Sequence, residues 1–363
     1  MKKKKGHPIL IRLLSLVLVL AIMLVVAVMM VPFQFHDEDA GYTDYGNWMA
    51  ETLSGDVRMV DVAMPGAHDS LSYEIDFLSE VDTTSTAAPL DQVFLKGLAV
   101  RQSKTQELTV KEQLTSGVRY LDLQVSYDAS DKKWYGVCNF KSVLLSEALL
   151  QVNDFLLSHP GEVVILAFRC CYDSREADGL ASARGAAELY ELLEDSGLTY
   201  FMEEDVALAT VTYGELTDEG SHSAALVLME ETGDAADLLP YEDSVYSVSY
   251  DTDSAEAVFS GLNDTAKQML NSVSAQTMLR VQQDVLTMPS SVIGVMRSVR
   301  TWSLLRRADA FNEAWLSAYE TTSAGTELDW LASMPIVLMD NAGVGENARQ
   351  LMELIIEYDR TLG

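Results

Sequence analysis

Apolar positions along the chain follow two different periods. Short runs of consecutive apolar residues, such as residues 163–166, are typical of strands buried on both faces. Longer segments, such as residues 146–157, repeat apolar residues every three or four positions, which is typical of one helix face. We predict strands at 57–64, 120–126, 134–138, 162–168, 224–230, 245–250, 278–287 and 336–340, and helices at 146–157, 185–193, 254–270, 307–319 and 347–358.

Eight strands with helices between them predict an α/β fold with a parallel sheet closed into a (β/α)8 TIM barrel. Roughly 310 residues follow the N-terminal segment, a normal length for one such barrel. The Ser- and Thr-rich stretch 71–110 has no clear period and is predicted to form a loop and helix after the first strand.

The N-terminus carries one long apolar segment. Residues 13–31 contain a single polar residue, Ser15, and can nearly span the ~30 Å hydrocarbon core as a helix. Lysines precede the segment and acidic residues follow it, which predicts a single-pass anchor in the cell membrane with the remaining chain extracellular. A cleaved signal peptide is the alternative. The predicted organisation is a cytoplasmic stub and transmembrane anchor at 1–35, a linker at 36–55 and the barrel at 56–363.

The net charge of the chain excludes one class of binding partner. Beyond the anchor the chain carries 20 basic and 55 acidic residues, a net charge near −35. No basic patch is available to neutralise phosphates, so nucleic-acid binding is excluded.

Candidate chemistry lies at the predicted strand ends, where the functional side chains of such barrels lie. His68 and Asp69 follow the first strand, and Asp340 ends the last. Because the first and eighth strands of a closed barrel are neighbours, we expect Asp340 to accept a hydrogen bond from His68. In the second strand, Asp122 and Gln124 share one face.

Several blocks resemble the catalytic X domain of the phosphatidylinositol-specific phospholipase C superfamily, of the bacterial type. The resemblance is specific over residues 57–170, weak over 171–335 and modest at the final strand. It implies a distorted (β/α)8 barrel. The blocks that carry it are MPGAHDS at 64–70, QLTSGVRYLDL at 113–123, residues 134–140, residues 149–157 and HPGEVVIL at 159–166.

The resemblance also implies a mechanism. In the family one histidine is the general base toward the inositol 2-hydroxyl, a second histidine protonates the leaving diacylglycerol oxygen, and a cation holds the phosphate. Matched by motif, His68 is the general base and Asp340 its orienting acid, whereas Asp69 and Asp122 line the phosphate site. Asp122 is grouped with His68 and Asp340 as a catalytic residue.

Two positions depart from the family pattern. Cys138 stands where the second histidine is expected, and Gln124 stands where bacterial relatives carry an arginine. Arg169, at the end of the fourth strand, is a candidate phosphate clamp, and its charge disfavours calcium, so no cofactor is predicted. A thiol with a reference pKa of ~8.5 is an awkward general acid. His222 is a weak candidate for a relocated acid.

The three cysteines fit no metal-ligand spacing. Cys138 and Cys170 are predicted to end adjacent barrel strands in an oxidising compartment, which suggests a disulfide between them. Whether Cys138 would pair with Cys170 or Cys171 stays open.

Two functions stay open. One is a phosphoric diester hydrolase or lyase that acts on a phosphoinositol or glycerophosphodiester, with a phospholipid head group or small phosphodiester as its ligand. The other is a catalytically degenerate barrel that binds a phosphorylated or polyol ligand, or an envelope partner. A purely structural barrel is disfavoured, because stability does not require His and Asp at those strand ends.

Overall fold

A parallel sheet forms the centre of the molecule. The computed structural model describes residues 8–30, 44–85, 93–198, 207–230, 238–269, 272, 275–287 and 303–360. The sheet has ten strands: β1 Met64–Ala67, β2 Tyr120–Asp128, β3 Lys133–Cys138, β4 Phe140–Leu144, β5 Val163–Asp173, β6 Ala224–Met229, β7 Leu239–Pro240, β8 Val245–Val248, β9 Leu279–Asp284 and β10 Ile336–Met339.

Eight of these strands run parallel in the order β7-β6-β5-β2-β1-β10-β9-β8. The first and last strands along the chain, β1 and β10, are direct neighbours, with Met64 opposite Ile336. Within the described part of the chain no ladder joins β7 to β8, so the sheet is an incomplete barrel that opens between these two strands. The predicted parallel α/β class is confirmed, and the sheet resembles a TIM barrel.

Helices follow most of the strands. All five predicted helices are present with slightly shifted ends, and the one predicted at 146–157 spans Leu145–Ser158. The helices are α1 Pro8–Met30, α2 Trp48–Thr52, α3 Val93–Arg101, α4 Val110–Thr115, α5 Leu145–Ser158, α6 Ala183–Asp195, α7 Tyr213–Thr217, α8 Tyr241–Ser244, α9 Ala255–Met269, α10 Leu304–Ala318, α11 Trp330–Ser333 and α12 Glu346–Arg360.

Alternation along the strands creates two apolar layers. Side chains such as Ile165, Leu226 and Leu338 pack together inside the barrel. Their neighbours along the strands, such as Leu166 and Val337, belong to the layer that includes the helices outside. Two apolar faces explain why these strands are continuously apolar in sequence. The alternation also turns every second residue at the strand ends toward the mouth of the barrel.

The first strand begins later than predicted. Residues 59–61 form a 3₁₀ turn, and β1 starts at Met64 and includes Pro65 and Gly66. Proline lacks an N–H for the ladder, but its carbonyl still accepts a hydrogen bond from the N–H of Arg119 at 2.9 Å. Gly66 allows close packing, because a Cβ there would lie 3.1 Å from Cδ1 of Leu338.

The prediction that residues 134–138 form the third strand of the parallel barrel is wrong. Residues 133–138 form β3, which runs antiparallel to β2 and forms a hairpin with β4. The parallel neighbour of β2 is instead β5. Residues 134–138 form a short and mostly apolar run like those of the barrel strands, so the pattern alone does not distinguish the two roles. The missed barrel strand is β7, which is only two residues long and ends in Pro240.

The predicted anchor and linker are only partly described. The backbone of Pro8–Met30 forms α1. Residues 31–43, which include much of the predicted linker, lie outside the described residues. Among the described residues, no helix combines the length and apolar character needed to cross a membrane. The predicted anchor therefore gains no support from the structure.

Candidate active site

The end of β1 places His68 beside the end of β10. The backbone N–H of His68 donates to the carbonyl of Met339 at 3.0 Å, which continues the ladder between the two strands. Nδ1 of His68 lies 2.8 Å from Oδ1 of Asp340, the contact expected from their positions on neighbouring strands. With Nδ1 donating to Asp340, Nε2 of the imidazole is the nitrogen left for a ligand.

A cluster of two acids and one arginine lies next to the histidine. Nε of Arg169 donates to Oδ1 of Asp122 at 2.8 Å, and its Nη2 lies 3.2 Å from Oδ2 of the same carboxylate. Nη2 also lies 3.3 Å from Oδ1 of Asp69. Asp69 adopts a left-handed backbone with φ of 43° and donates its N–H to Oδ2 of Asp122. The guanidinium therefore joins β5 to the ends of β2 and β1.

Gln124 and Cys138 complete this side of the site. Nε2 of Gln124 donates to Oδ1 of Asp69, and burial together with the charge of Asp69 raises the pKa of the Cys138 thiol. The register of β2 against β5 shifts between Leu123 and Gln124, because the pairing passes from Phe168 to Cys170 and leaves Arg169 as the extra residue of a bulge in β5. All seven residues predicted for the site nevertheless lie at one end of the barrel.

Neighbouring charges set the protonation of His68. Burial of the imidazole lowers its pKa, but Asp69, Asp340 and Asp122 outweigh burial and raise the pKa to about 9. Burial raises the pKa of Asp340. Burial also disfavours the ionised form of Asp122, but Arg169 holds the pKa of this carboxyl below its ordinary value. At neutral pH the site therefore contains an imidazolium beside a guanidinium.

Gln106 is a site residue that the sequence analysis missed. Its Nε2 donates to the carbonyls of His68 at 2.8 Å and Met339 at 3.0 Å. Its Oε1 accepts the N–H of Ala342 at 3.0 Å. This buried amide joins the ends of β1 and β10, and so fixes His68 against Asp340. A glutamine in an aperiodic stretch gives no signal in the sequence that could reveal this role.

A divalent ion does not fit this arrangement. His68, Asp69 and Asp122 each offer one ligand atom, and these atoms lie within 4.8 Å of one another. The guanidinium of Arg169 is hydrogen-bonded to both carboxylates. A calcium ion would have to displace this cation and would still lack the six to eight oxygen ligands that it prefers.

The predicted disulfide is wrong. Cys138 lies on β3 and Cys170 on β5, and β2 pairs with both strands and separates them. All three cysteines are free thiols. The error follows from treating β3 as a barrel strand next to β5.

His222 is not part of the site. It precedes β6 by two residues, whereas His68 follows the end of β1. Parallel strands place all their amino ends at one end of the barrel, so His222 lies at the end opposite His68. His159 precedes β5 and lies at that same opposite end.

Comparison with known proteins gives a partial sequence match. No protein-family model matches the chain. PI-PLC X domain-containing protein 2 of Mus musculus is 35% identical over 138 residues, which cover 36% of this chain and 41% of that protein. The human protein of the same name is 35% identical over 133 residues, covering 35% of this chain and 44% of that protein. The chain thus spans less than half the length of these curated relatives.

Solved structures match almost the whole chain in fold. A variant of phosphatidylinositol-specific phospholipase C from Staphylococcus aureus gives a TM-score of 0.57 at 15% identity, covering 85% of this chain and 96% of that one. The phosphatidylinositol-specific phospholipase C from Listeria monocytogenes gives 0.54 at 18% identity, covering 87% and 98%. At these identities the likeness concerns the fold alone.

Proposed function

We propose that the chain is a divergent member of the phosphatidylinositol-specific phospholipase C superfamily and that it is a phosphoric diester hydrolase or phosphorus–oxygen lyase. The observation that carries this proposal is the contact between Nδ1 of His68 and Oδ1 of Asp340. Such a contact fixes the imidazole tautomer and stabilises the imidazolium formed when Nε2 accepts a proton. Structural stability does not require this pair at a barrel mouth.

The proposed reaction begins with neutral His68. Nε2 accepts the proton of a substrate hydroxyl next to the phosphoryl group, and that oxygen attacks phosphorus. The bond from phosphorus to the leaving oxygen breaks and a cyclic phosphodiester forms. A positioned base of this kind typically contributes ~10²–10⁴-fold in rate.

Arg169 is the proposed phosphate ligand. Its side chain is 25% exposed, whereas the two carboxylates that hold it are nearly fully buried. A guanidinium fixed by buried acids presents its remaining N–H groups toward the mouth with little loss of side-chain entropy. Gln124 and Asp69 are proposed to line the same subsite, next to Cys138.

The proposed substrate class is a phosphoinositol or a glycerophosphodiester. The solved relatives are named for phosphatidylinositol, and we extend that head-group class to this chain. We also propose, from the apolar segment 13–31 and its flanking charges, that the protein is held at the cell membrane with the barrel outside. Protease treatment of intact cells tests this location, because an outward barrel would be digested and an internal one protected.

Binding without turnover is the second candidate function. The raised pKa of His68 favours the imidazolium, which together with Arg169 suits an anion better than it suits base catalysis at neutral pH. The thiol at position 138, where the family resemblance implies a histidine as general acid, also favours binding without turnover. In that case the barrel would bind a phosphorylated polyol through the same residues.

Turnover by the full chain decides between the two functions. Phosphatidylinositol, a panel of glycerophosphodiesters and an inositol 1-phosphodiester with a 4-nitrophenyl leaving group are assayed with the parent, His68→Ala and His222→Ala. His222 is a matched control because its side chain is 73% exposed at the opposite end of the barrel. Activity lost in His68→Ala and kept in His222→Ala supports the enzyme. Equal amounts of product from the parent and both variants contradict the enzyme. If the parent binds the ligand but does not turn it over, the second function is supported.

A further inference from the structure

Displacement at a phosphodiester needs a proton acceptor for the nucleophile and, for a poor leaving group, a proton donor. His68 is the proposed acceptor. Two other histidines lie among the described residues, and both His159 and His222 precede strands at the opposite end of the barrel. Among the described residues, a donor for the leaving oxygen must therefore come from another type of residue.

The Cys138 thiol is the best remaining candidate for the proton donor, but its environment disfavours release of the proton. Cys138 ends β3 and packs against the buried apolar cluster that includes Ile75 and Phe140, an environment that disfavours the thiolate. Burial, together with the charges of Asp69 and Asp340, raises the pKa of the thiol well above its ordinary value. A thiol with such a high pKa is a weak general acid, so it contributes little to cleavage of the bond between phosphorus and the leaving oxygen.

The remaining polar side chains of the described site are no better donors. Arg169 is a permanent cation hydrogen-bonded to Asp122 and Asp69. Burial raises the pKa of Tyr241 to about 12, and burial also raises that of Tyr172. Gln124 donates to Asp69 but has no proton that it could release.

We propose that this site turns over phosphodiesters whose leaving group departs as a stable anion, such as the phenolate of an aryl ester. It discriminates against esters of alkyl alcohols, including diacylglycerol. Cys138 is the specificity-determining position, because it stands where a proton donor would widen the range of leaving groups. This inference rests on the proposed function and narrows its substrate class.

The step balances without a proton donor. Nε2 of His68 takes the hydroxyl proton, the hydroxyl oxygen bonds to phosphorus, and the bond to the leaving oxygen breaks. The leaving group carries away the electron pair as an anion. The imidazolium then releases its proton to water, so no other reactant is consumed.

A series of inositol 1-phosphodiesters with 4-nitrophenyl, phenyl and n-butyl leaving groups tests the inference. The full chain is compared with Cys138→His and Cys138→Ala, with thermal melting as the check on folding. We expect the parent to favour the 4-nitrophenyl over the n-butyl ester strongly. Cys138→His should reduce this preference by ~10²-fold or more, because it supplies an acid. Cys138→Ala should keep the preference of the parent.

The outcomes separate the two proposals. Similar rates for all three esters in the parent would overturn the inference and leave the phosphodiesterase intact. A selective loss of n-butyl turnover in Cys138→Ala would also overturn it, because the thiol would then be the donor. No turnover of the 4-nitrophenyl ester above the His68→Ala background would overturn the proposed function and the inference together.

Discussion

Nε of Arg169 lies 2.8 Å from Oδ1 of Asp122, and this ion pair joins β5 to β2 at the mouth of the barrel. Asp122 is completely buried. The pair therefore holds a carboxylate in an environment that would otherwise strongly favour its neutral form. Stability and the proposed phosphate binding depend on the same arginine, so only paired variants can separate the two effects.

Removing Arg169 alone should cost stability as well as function. In Arg169→Ala the buried carboxylate of Asp122 loses its cation, and we expect the free energy of unfolding to fall by about 2–4 kcal/mol. Adding Asp122→Asn should restore most of this loss by removing the charge, yet phosphate binding should stay lost. Urea unfolding and substrate KM measure the two effects. A double variant as unstable as Arg169→Ala would contradict this account of the pair.

The pKa of His68 predicts the pH dependence of the reaction. The proposed base acts only when neutral, so kcat/KM should rise about tenfold per pH unit below about 9 and level off above it. In Asp340→Asn one of the charges that raise the pKa is gone. The rising limb should then move to lower pH, while the plateau falls because the tautomer is no longer fixed. Activity that declines above pH 9 would instead identify the imidazolium as the working form.

Gln106 is predicted to act as a positioning residue. Gln106→Met keeps the side-chain volume but leaves the carbonyls of His68 and Met339 without their amide donor. We expect unfolding to be easier by about 1–3 kcal/mol. We also expect a lower kcat with little change in KM. The pH at which kcat/KM rises with the titration of His68 should shift as well. Unchanged kcat and pH limb in a destabilised variant would assign Gln106 to stability alone.

The positions of the candidate site residues could be predicted from the sequence more fully than the arrangement of the barrel strands. His68, Arg169 and Asp340 were proposed because each follows or ends an apolar run, and parallel strands bring such ends together, whereas Asp122 was proposed because it shares one face of the second strand with Gln124. The role of β3 and the existence of β7 were missed. β3 is about as short as the barrel strands and is also rich in apolar residues, and the two residues of β7 carry no period at all. Gln106 was missed because its contacts join segments that are far apart in sequence.

A buried acid far from the reaction should make stability depend on pH. Asp359 on α12 is 4% exposed, and its Oδ1 accepts the N–H of Ala63 at 2.9 Å. Burial raises the pKa of this carboxyl to about 7. The folded state therefore holds the proton more tightly than the unfolded chain does. This stabilisation is fully present below pH 4 and is lost as the pH rises from about 4 through 7.

Asp359→Asn should remove this dependence. The amide oxygen can still accept the Ala63 N–H, and no charge has to be buried at high pH. We expect the variant to be more stable than the parent at pH 8 by up to about 4 kcal/mol, and the difference to vanish near pH 4. Urea unfolding across this range measures it. Asp264→Asn, at an exposed acid of α9, is the control and should leave the pH slope unchanged. An equal slope in Asp359→Asn and the parent would show that Asp359 is ionised in the folded protein at no cost.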